Sequence, residues 1–382
     1  MVRTEVIADL SAAEALAPAW DELAQNASMP VAAPGWMLAW WRNMAPAGSE
    51  LRIVAVRDGE QLIAVAPWFM DHGPRGRIDI RFLGVEVSDR VDVLCAAGRE
   101  RDVAAALRAG IAELRPRADL VAFEAVPVAS HWARRLASGA AGRVNLARYR
   151  NSTRIAPSVS FPADGDFEAW MAGRSSNFRS QMRRMRRRLE SRGGTVRMLR
   201  EPDERAEGVK AMLELHLARW SERGESGLAR EGIPGLLADA AAALGPDRLR
   251  LCAAEVDGET ISVQLFAAAG NLVKFWNGGW SEAHADLKPS MLTILAAIED
   301  GIGRGELRMD LGVGTQEYKL RFSDGIDTLT WGGLILRNKR WPTTRAELTP
   351  RVLRYRAKQA AEALPEPVAD RVAAAVRARR DR

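Results

Sequence analysis

The sequence has 382 residues, 47% hydrophobic and 27% charged, with a formal net charge of +6. That length suits two domains, and no window approaches the ~18 apolar residues of a membrane helix. Two cysteines, Cys95 and Cys252, each inside an apolar run, argue against a disulfide scaffold or a cysteine zinc site and for a reducing, cytoplasmic setting. The start, Met1 to Ile7, turns polar too soon for a signal peptide, and His72, His131, His216 and His284 show no metal-ligand spacing, so no metal is expected.

Charge is unevenly placed. Residues 174–192 hold eight Arg and one acid, and residues 337–382 hold thirteen Lys and Arg against five acids. These two stretches carry +15, which leaves −9 on the rest. Arginine outnumbers lysine 49 to 6, a bias that fits a G+C-rich genome and weakens any functional reading of Arg content alone.

In chain order, residues 1–50 read as helical with a loop. Leu16, Trp20, Leu23 and Ala24 form one helical stripe, and Pro34-Gly35-Trp36 opens a second helix carrying Leu38, Trp40 and Trp41. Leu51–Val56, a turn at Asp58-Gly59, and Leu62–Phe69 read as a hairpin. Arg81–Gly84 and Val91–Leu94 are short strand candidates. Asp102–Leu114 is an amphipathic helix stopped by Pro116, and Leu120–Ala125 is a strand. Residues 126–175, interrupted by Pro127, Pro157, Pro162 and Gly165, read as a link between halves.

The second half opens on an arginine-rich helix over 177–192, with Phe178, Met182, Met185 and Leu189 on one face. Thr195–Leu199 reads as a strand, and Val209–Arg219 and Pro234–Leu244 as helices. A three-strand meander follows from Arg248 to Trp280, with turns at Asp257-Gly258 and Gly270-Asn271. Pro289 starts a helix whose apolar face carries Met291, Leu292, Leu295, Ile298 and Ile302. A right-handed crossover then sets Leu307–Leu311 parallel to an earlier strand. The helix start beside a strand edge is a ready anion site. The hairpin at 51–69 repeats in the one at 250–266, each with Asp-Gly-Glu at its turn, which suggests two copies of one domain. After Leu336 the chain is basic and alanine-rich, broken at Pro350, Pro365 and Pro367, and reads as weakly packed helices or an extended tail.

The order of these features resembles the GNAT acyltransferase superfamily, in its CelD-like and FemAB-like branch (the BioF2-like acetyltransferase domain). The matching residues are the meander, Pro289 at a helix start, Gly305, Asp310-Leu311-Gly312, and Glu317-Tyr318-Lys319 followed by Phe322. Ser290 stands where that family usually has Gly. The resemblance implies an α+β fold of tandem GNAT-like domains, each a mixed, mostly antiparallel sheet flanked by helices. It divides the chain into a degenerate GNAT-like domain at 1–150, an acyltransferase domain at 151–336 and a basic tail at 337–382. The first-half match is softer and rests on Pro34-Gly35-Trp36, the hairpin, and Leu83-Gly84 with Asp89 and Asp92.

The resemblance implies a co-substrate, acetyl-CoA or another acyl-CoA. Its pantetheine would run along the strand holding Phe275, Trp276 and Asn277, and its pyrophosphate would sit at Lys288, Pro289 and Ser290. GNAT chemistry is direct attack on the thioester, which needs a proton acceptor for the nucleophile and a donor for the thiolate. Asp310 and Glu317 are the candidate bases and Tyr318 the candidate acid. Lys319, Arg321 and His284 are candidates for holding an anionic substrate. A plainer reading has Asp310 capping the turn at Gly312 and pairing with Lys319.

The arginine helix reads first as an exposed helix with a packed stripe, and second as a contact for an anionic substrate, polymer or membrane surface through Arg183, Arg184, Arg187 and Arg188. It lacks interleaved aromatics, so sequence-specific nucleic-acid binding is not expected. The acceptor is read as a small molecule or saccharide. Three functions follow: an N- or O-acyltransferase, plausibly of polysaccharide or cell-envelope modification; a FemAB-like aminoacyl transferase using tRNA; or a non-catalytic binder of an anionic polymer.

Overall fold

A computed structural model describes residues 2–138, 146–220 and 226–362. The first half opens with β1 (Val2–Ile7) and α1 (Leu10–Asn26). The carboxylate of Asp9 accepts the Ala12 N–H at 2.9 Å and so caps α1. Pro34 supplies the first turn of α2 (Pro34–Met44), whose Trp36, Leu38 and Trp40 are buried. Strands β2 (Glu50–Leu51), β3 (Ile53–Asp58), β4 (Gln61–Ala66), β5 (Trp68–His72), β6 (Ile78–Phe82) and β7 (Leu94–Cys95) follow. Then come α3 (Glu100–Glu113), β8 (Leu120–Pro127) and α4 (Trp132–Ser138).

The second half runs β9 (Leu146–Ser160), α5 (Phe167–Ala172), α6 (Ser176–Glu190), β10 (Thr195–Leu199), α7 (Pro202–Trp220) and α8 (Ile233–Arg248). The meander is β11 (Leu249–Val256), β12 (Glu259–Ala269) and β13 (Leu272–Trp280). Next are α9 (Pro289–Gly303), β14 (Arg308–Asp310), α10 (Glu317–Phe322), β15 (Gly325–Leu336) and α11 (Trp341–Glu362).

Two sheets result. The smaller has the order β1-β3-β4-β7; the larger has the order β10-β11-β12-β13-β14-β9-β15-β8-β6-β5-β2. Pairing is antiparallel except at β13–β14 and β6–β8. The fold is therefore α+β, with mixed, mostly antiparallel sheet and flanking helices. The two halves are not separate: β15 lies between β9 and first-half β8. One core cluster likewise joins Trp36 and Trp40 of α2 to Leu236, Leu237 and Ala240 of α8. A second packs the α6 stripe and α9 against the meander.

Four expectations change. Residues 2–7 form a strand rather than part of a helical region. Leu62–Phe69 is two strands in different sheets, broken at Pro67, which has no N–H to donate. The 126–175 stretch is no mere link, since β9 is a 15-residue strand at the centre of the large sheet and the 150/151 boundary falls inside it. Exposed Arg148, Arg150 and Arg154 hide its strand character, as does Pro157, which has no N–H to donate but whose carbonyl accepts the Leu311 N–H at 2.9 Å. Finally, α11 is one helix through Pro350, anchored by Leu348 against Leu120 and Ile335; residues 363–382 lie outside the described residues. Among the described residues no helix is long and apolar enough to cross a membrane.

The β12–β13 turn docks on the end of α1. Gly270 N–H donates to Gln25 Oε1 at 2.7 Å and Asn271 N–H to Ser28 Oγ at 3.1 Å. Gly270 has φ +53°, and a Cβ there would collide with the Gln25 carbonyl oxygen. Gly270→Ala should therefore lower the unfolding free energy by about 1–3 kcal/mol in urea denaturation. A loss under about 0.5 kcal/mol, the size of an ordinary surface change, would show that this contact between halves is dispensable.

Candidate active site

The site begins where two strands part. β13 and β14 pair only from Leu272↔Arg308 to Lys274↔Asp310. β14 then turns away, because the Leu311 N–H goes to Pro157 and Gly312 takes φ +73°. A register shift opposite Leu265/Phe266 makes Trp276 the extra residue of a β-bulge in β13. The edge of β13 from Phe275 onward therefore faces an open wedge. This wedge is a cleft of about 840 Å³.

Phe275, Trp276 and Asn277 line one wall, and Lys288, Pro289 and Ser290 another. Glu317, Tyr318, Lys319 and Arg321 border it from α10. Nearly all the predicted site residues are thus brought together. Two are not: Asp310 is fully buried beneath the floor, and His284 lies outside the cleft with Nδ1 3.3 Å from Ser281 Oγ.

At the head of α9, Lys288 sits in the left-handed region (φ +53°) and Pro289 takes the first position. No side chain caps this helix. Pro289 has no N–H and the Met291 N–H goes to the Lys288 carbonyl at 3.0 Å, so the Ser290 N–H and the helix dipole give the cleft its positive end. Gln264 reaches from β12 with Nε2 3.1 Å from Ser262 Oγ and 3.4 Å from Ser290 Oγ. Its amide lies where a Cβ of residue 278 would be, so Gly278 is needed for this approach. On α7, His216 has Nδ1 3.0 Å from the Gly278 carbonyl and Nε2 2.9 Å from Ser226 Oγ. Burial lowers its pKa. Arg219 stacks over Trp280, 5.0 Å from the ring centroid.

Beneath the cleft lies a buried ion cluster drawn from both halves. Arg90 Nε donates to Asp310 Oδ2 at 2.6 Å, and its other arm pairs with Asp327, which also accepts from Arg308 at 2.7 Å. Lys274 is 3.3 Å from the same Asp310 oxygen and pairs with Asp89. Asp310 Oδ1 accepts the Gly312 N–H at 2.8 Å, and Asp89 Oδ2 accepts the Val313 N–H at 3.0 Å. Burial opposes the Asp310 charge, but Lys274 and Arg90 outweigh it and hold the carboxyl well below its ordinary range. A carboxylate so buried and doubly paired is unsuited to accept a proton at neutral pH. Asp310 does cap the turn at Gly312, but its cationic partners are Lys274 and Arg90, not Lys319.

Lys319 sits directly above. Its Nζ donates to the Val313 carbonyl at 2.9 Å and the Gly312 carbonyl at 3.4 Å, and lies 5.8 Å from the Phe275 ring centre. Burial pulls its pKa down to about 8, with Asp89 opposing and Lys274 assisting. Burial pushes the Tyr318 phenol up to about 12, so it is protonated at neutral pH. Glu317 is mostly exposed and paired with Arg321 at 2.5 Å; Arg321 also reaches Gln181 of α6 at 2.9 Å. On α6, Arg188 pairs with Asp286 at 2.7 Å and Arg186 with Glu299 at 3.6 Å, while Arg183, Arg184 and Arg187 are exposed.

Comparison with known proteins agrees with this geometry. Residues 176–320, from α6 to α10, match the family model described as Acetyltransferase (GNAT) domain. That stretch is similar to GNAT-type acetyltransferase domains. FemX aligns over 76% of this chain and 90% of its own, with TM-score 0.56 and 12% identity. A C-terminal domain named for a lysylphosphatidylglycerol synthetase of Agrobacterium fabrum aligns over 89% of this chain and 96% of its own, at TM-score 0.55 and 10% identity. L-PGS from Bacillus licheniformis covers 90% and 97%, at 0.52 and 12%. At these identities the likeness is one of fold alone. No curated protein matches the chain in sequence.

Sequence reasoning missed Arg90, Lys274, Asp327 and the wall residues His216 and Arg219. Asp89 and Asp310 each stand out by the motif around them. Nothing local marks Lys274, a lysine inside an apolar strand, as their shared counter-ion, except that a buried Lys requires one.

Asp310→Asn leaves Arg90 and Lys274 buried and short of their carboxylate, and should cost about 3–5 kcal/mol at neutral pH. Because the folded pKa lies below the ordinary ~3.9, this contribution is present above that value and fades as pH falls below it. Denaturation of both proteins at pH 7 and pH 3 should show the gap narrowing in acid. An equal gap at both pH values would contradict the charge assignment.

Proposed function

We propose that the cleft binds an acyl thioester, acetyl-CoA or a related acyl-CoA, and transfers its acyl group to an amine or hydroxyl of a second substrate. The observation that carries this reading is the convergence, on one cleft, of the open β13 edge, the uncapped α9 N-terminus, and the Tyr318 and Lys319 side chains. The pantetheine amides suit the backbone of Phe275–Gly278. The pyrophosphate suits the first turn of α9, with Lys288 as a further cation.

The nucleophile attacks the thioester carbonyl carbon, and the C–S bond breaks as the tetrahedral intermediate collapses. The leaving thiolate takes the Tyr318 phenolic proton. In its neutral form Lys319 spends two N–H bonds on the carbonyls of Gly312 and Val313, leaving its lone pair for the proton of the nucleophile. Glu317 is mostly exposed and pairs with Arg321, which it steadies. Asp310 keeps the floor charged and rigid. Positioning of the two substrates supplies the rest.

A second donor has support from the FemX and lysylphosphatidylglycerol synthetase likenesses: an aminoacyl group carried on tRNA. Polysaccharide or cell-envelope acceptors are consistent with this branch of the fold. Acetyl-CoA at a hundredfold excess over its Kd should stabilise the protein by about 2.7 kcal/mol, read as a higher melting temperature. Stabilisation by aminoacyl-tRNA but by no acyl-CoA would transfer the proposal to the second donor.

With Lys319 as proton acceptor, turnover should rise with pH and level off above about 8, where the folded amine is neutral. The same depressed pKa means that folding gains stability as pH rises from about 8 towards ~10.4, since the unfolded chain still binds that proton. Lys319→Met should remove the rising limb of the rate profile, and Tyr318→Phe should lower turnover ~10²–10⁴-fold with little change in melting temperature. A Lys319→Met profile that kept its inflection near pH 8 would rule out this base.

A further inference from the structure

The cavity beneath α11 shares no lining residue with the acyl-transfer cleft and has no part in the chemistry above. We infer that it is a second ligand site, built for a phosphate-bearing amphiphile with one anionic head and an apolar tail.

The cavity has a volume of about 930 Å³ and is enclosed by α4, β9, β15 and α11. Six arginines line it: Arg134, Arg148, Arg150, Arg337, Arg345 and Arg356. No Asp or Glu does. None of the six makes an ion pair with a described residue. All six are exposed, and what sets them apart is that they ring one concavity with no carboxylate among its lining residues. Uncompensated guanidiniums around one concavity repel each other, and an anion between them offsets that cost.

A second observation points to a ligand. The Trp341 indole N–H at the cavity wall is buried and has no hydrogen-bond partner among the described residues. A buried donor left unpaired is costly, and a phosphate oxygen in the cavity would satisfy it.

The floor fixes the rest of the ligand. Phe123, Val126, Ile335 and Leu348 are buried lining residues, and Val128 and Leu353 carry apolar surface to the mouth at 40% and 57% exposure. A wall that is apolar inside and cationic at the rim suits a chain with a charged head. A nucleic acid fits it less well. Trp341 is already covered by Arg345 and Arg337, 5.1 and 5.5 Å from its ring centre, so it offers no free stacking platform.

The test is titration calorimetry on the full chain with dihexanoyl phosphatidylglycerol below its micellar concentration. Glycerol 1-phosphate carries the head alone, and dihexanoyl phosphatidylcholine carries the same tails without net charge. Each methylene buried contributes about fourfold in affinity, so the lipid should bind at one site at least about tenfold more tightly than glycerol 1-phosphate. It should also bind more tightly than phosphatidylcholine. Replacing Arg337, Arg345 and Arg356 by Gln should weaken binding by about tenfold or more, since each charge-assisted bond lost is of that order. These arginines are exposed, so melting should be unchanged. Trp341→Phe should weaken it less, and Arg183→Gln with Arg187→Gln on α6 should leave it intact. Equal affinity for glycerol 1-phosphate, wild-type binding by the triple-Gln variant, or tighter binding of a short RNA at this cavity would each overturn the proposal.

Discussion

The structure depends on one buried constellation, Asp89 and Arg90 from the first half locked to Lys274, Asp310 and Asp327 from the second. Lys274 and Asp310 are essentially without solvent contact, yet every charge in the group meets an opposite one. In a medium of low effective dielectric such a group is stable only when complete, because any missing partner leaves a desolvated charge. The halves therefore cannot drift apart without exposing or orphaning it. The shared sheet adds backbone pairing across the same seam, since β15 bonds to β8 on one side and β9 on the other.

That constraint also shapes the cleft. Lys274 and Asp310 form the last rung of the β13–β14 ladder, and the wedge opens immediately beyond it. The cluster thus pins the apex of the wedge, while the bulge at Trp276 turns β13 outward. The Trp276 indole donates to the Val87 carbonyl at 2.8 Å and stands edge-on to Trp36 at 5.4 Å, so the first half braces the wall of a site formed by the second. The field of the cluster reaches Lys319, where Asp89 and Lys274 act in opposite senses and burial decides the outcome. The first half acquires a physical role in this arrangement, as the support that keeps the cleft open.

Much of this was legible in the sequence, because its signals are local. Asp-Gly and Gly-Asn turns located the meander. Pro289 located the head of α9, and the spacing of Met291 to Ile302 gave its buried face. The apolar stripe of α6 was equally plain amid its arginines. What escaped was long-range. β9 reads as a broken, polar connector because Arg148, Arg150 and Arg154 face outward and Pro157 interrupts it, and its centrality comes only from its partners, β14 and β15. For Asp310 the motif gave the position but not the role. Its position at the end of a sheet strand suggested a base, whereas Arg90, 220 residues away, makes it a counter-ion. Tyr318 and Lys319 reached the cleft as the motif implied, and Lys319 gained a depressed pKa that only its burial could supply.

The most direct test of the account is amide hydrogen exchange followed by mass spectrometry, with and without saturating acetyl-CoA. If the wedge holds the thioester, protection should be confined to the β13 edge, residues 275–280, and to the first turn of α9, residues 289–292. Binding without protection in those two segments, or protection centred on α6 or α11 instead, would contradict the placement of the donor in this cleft.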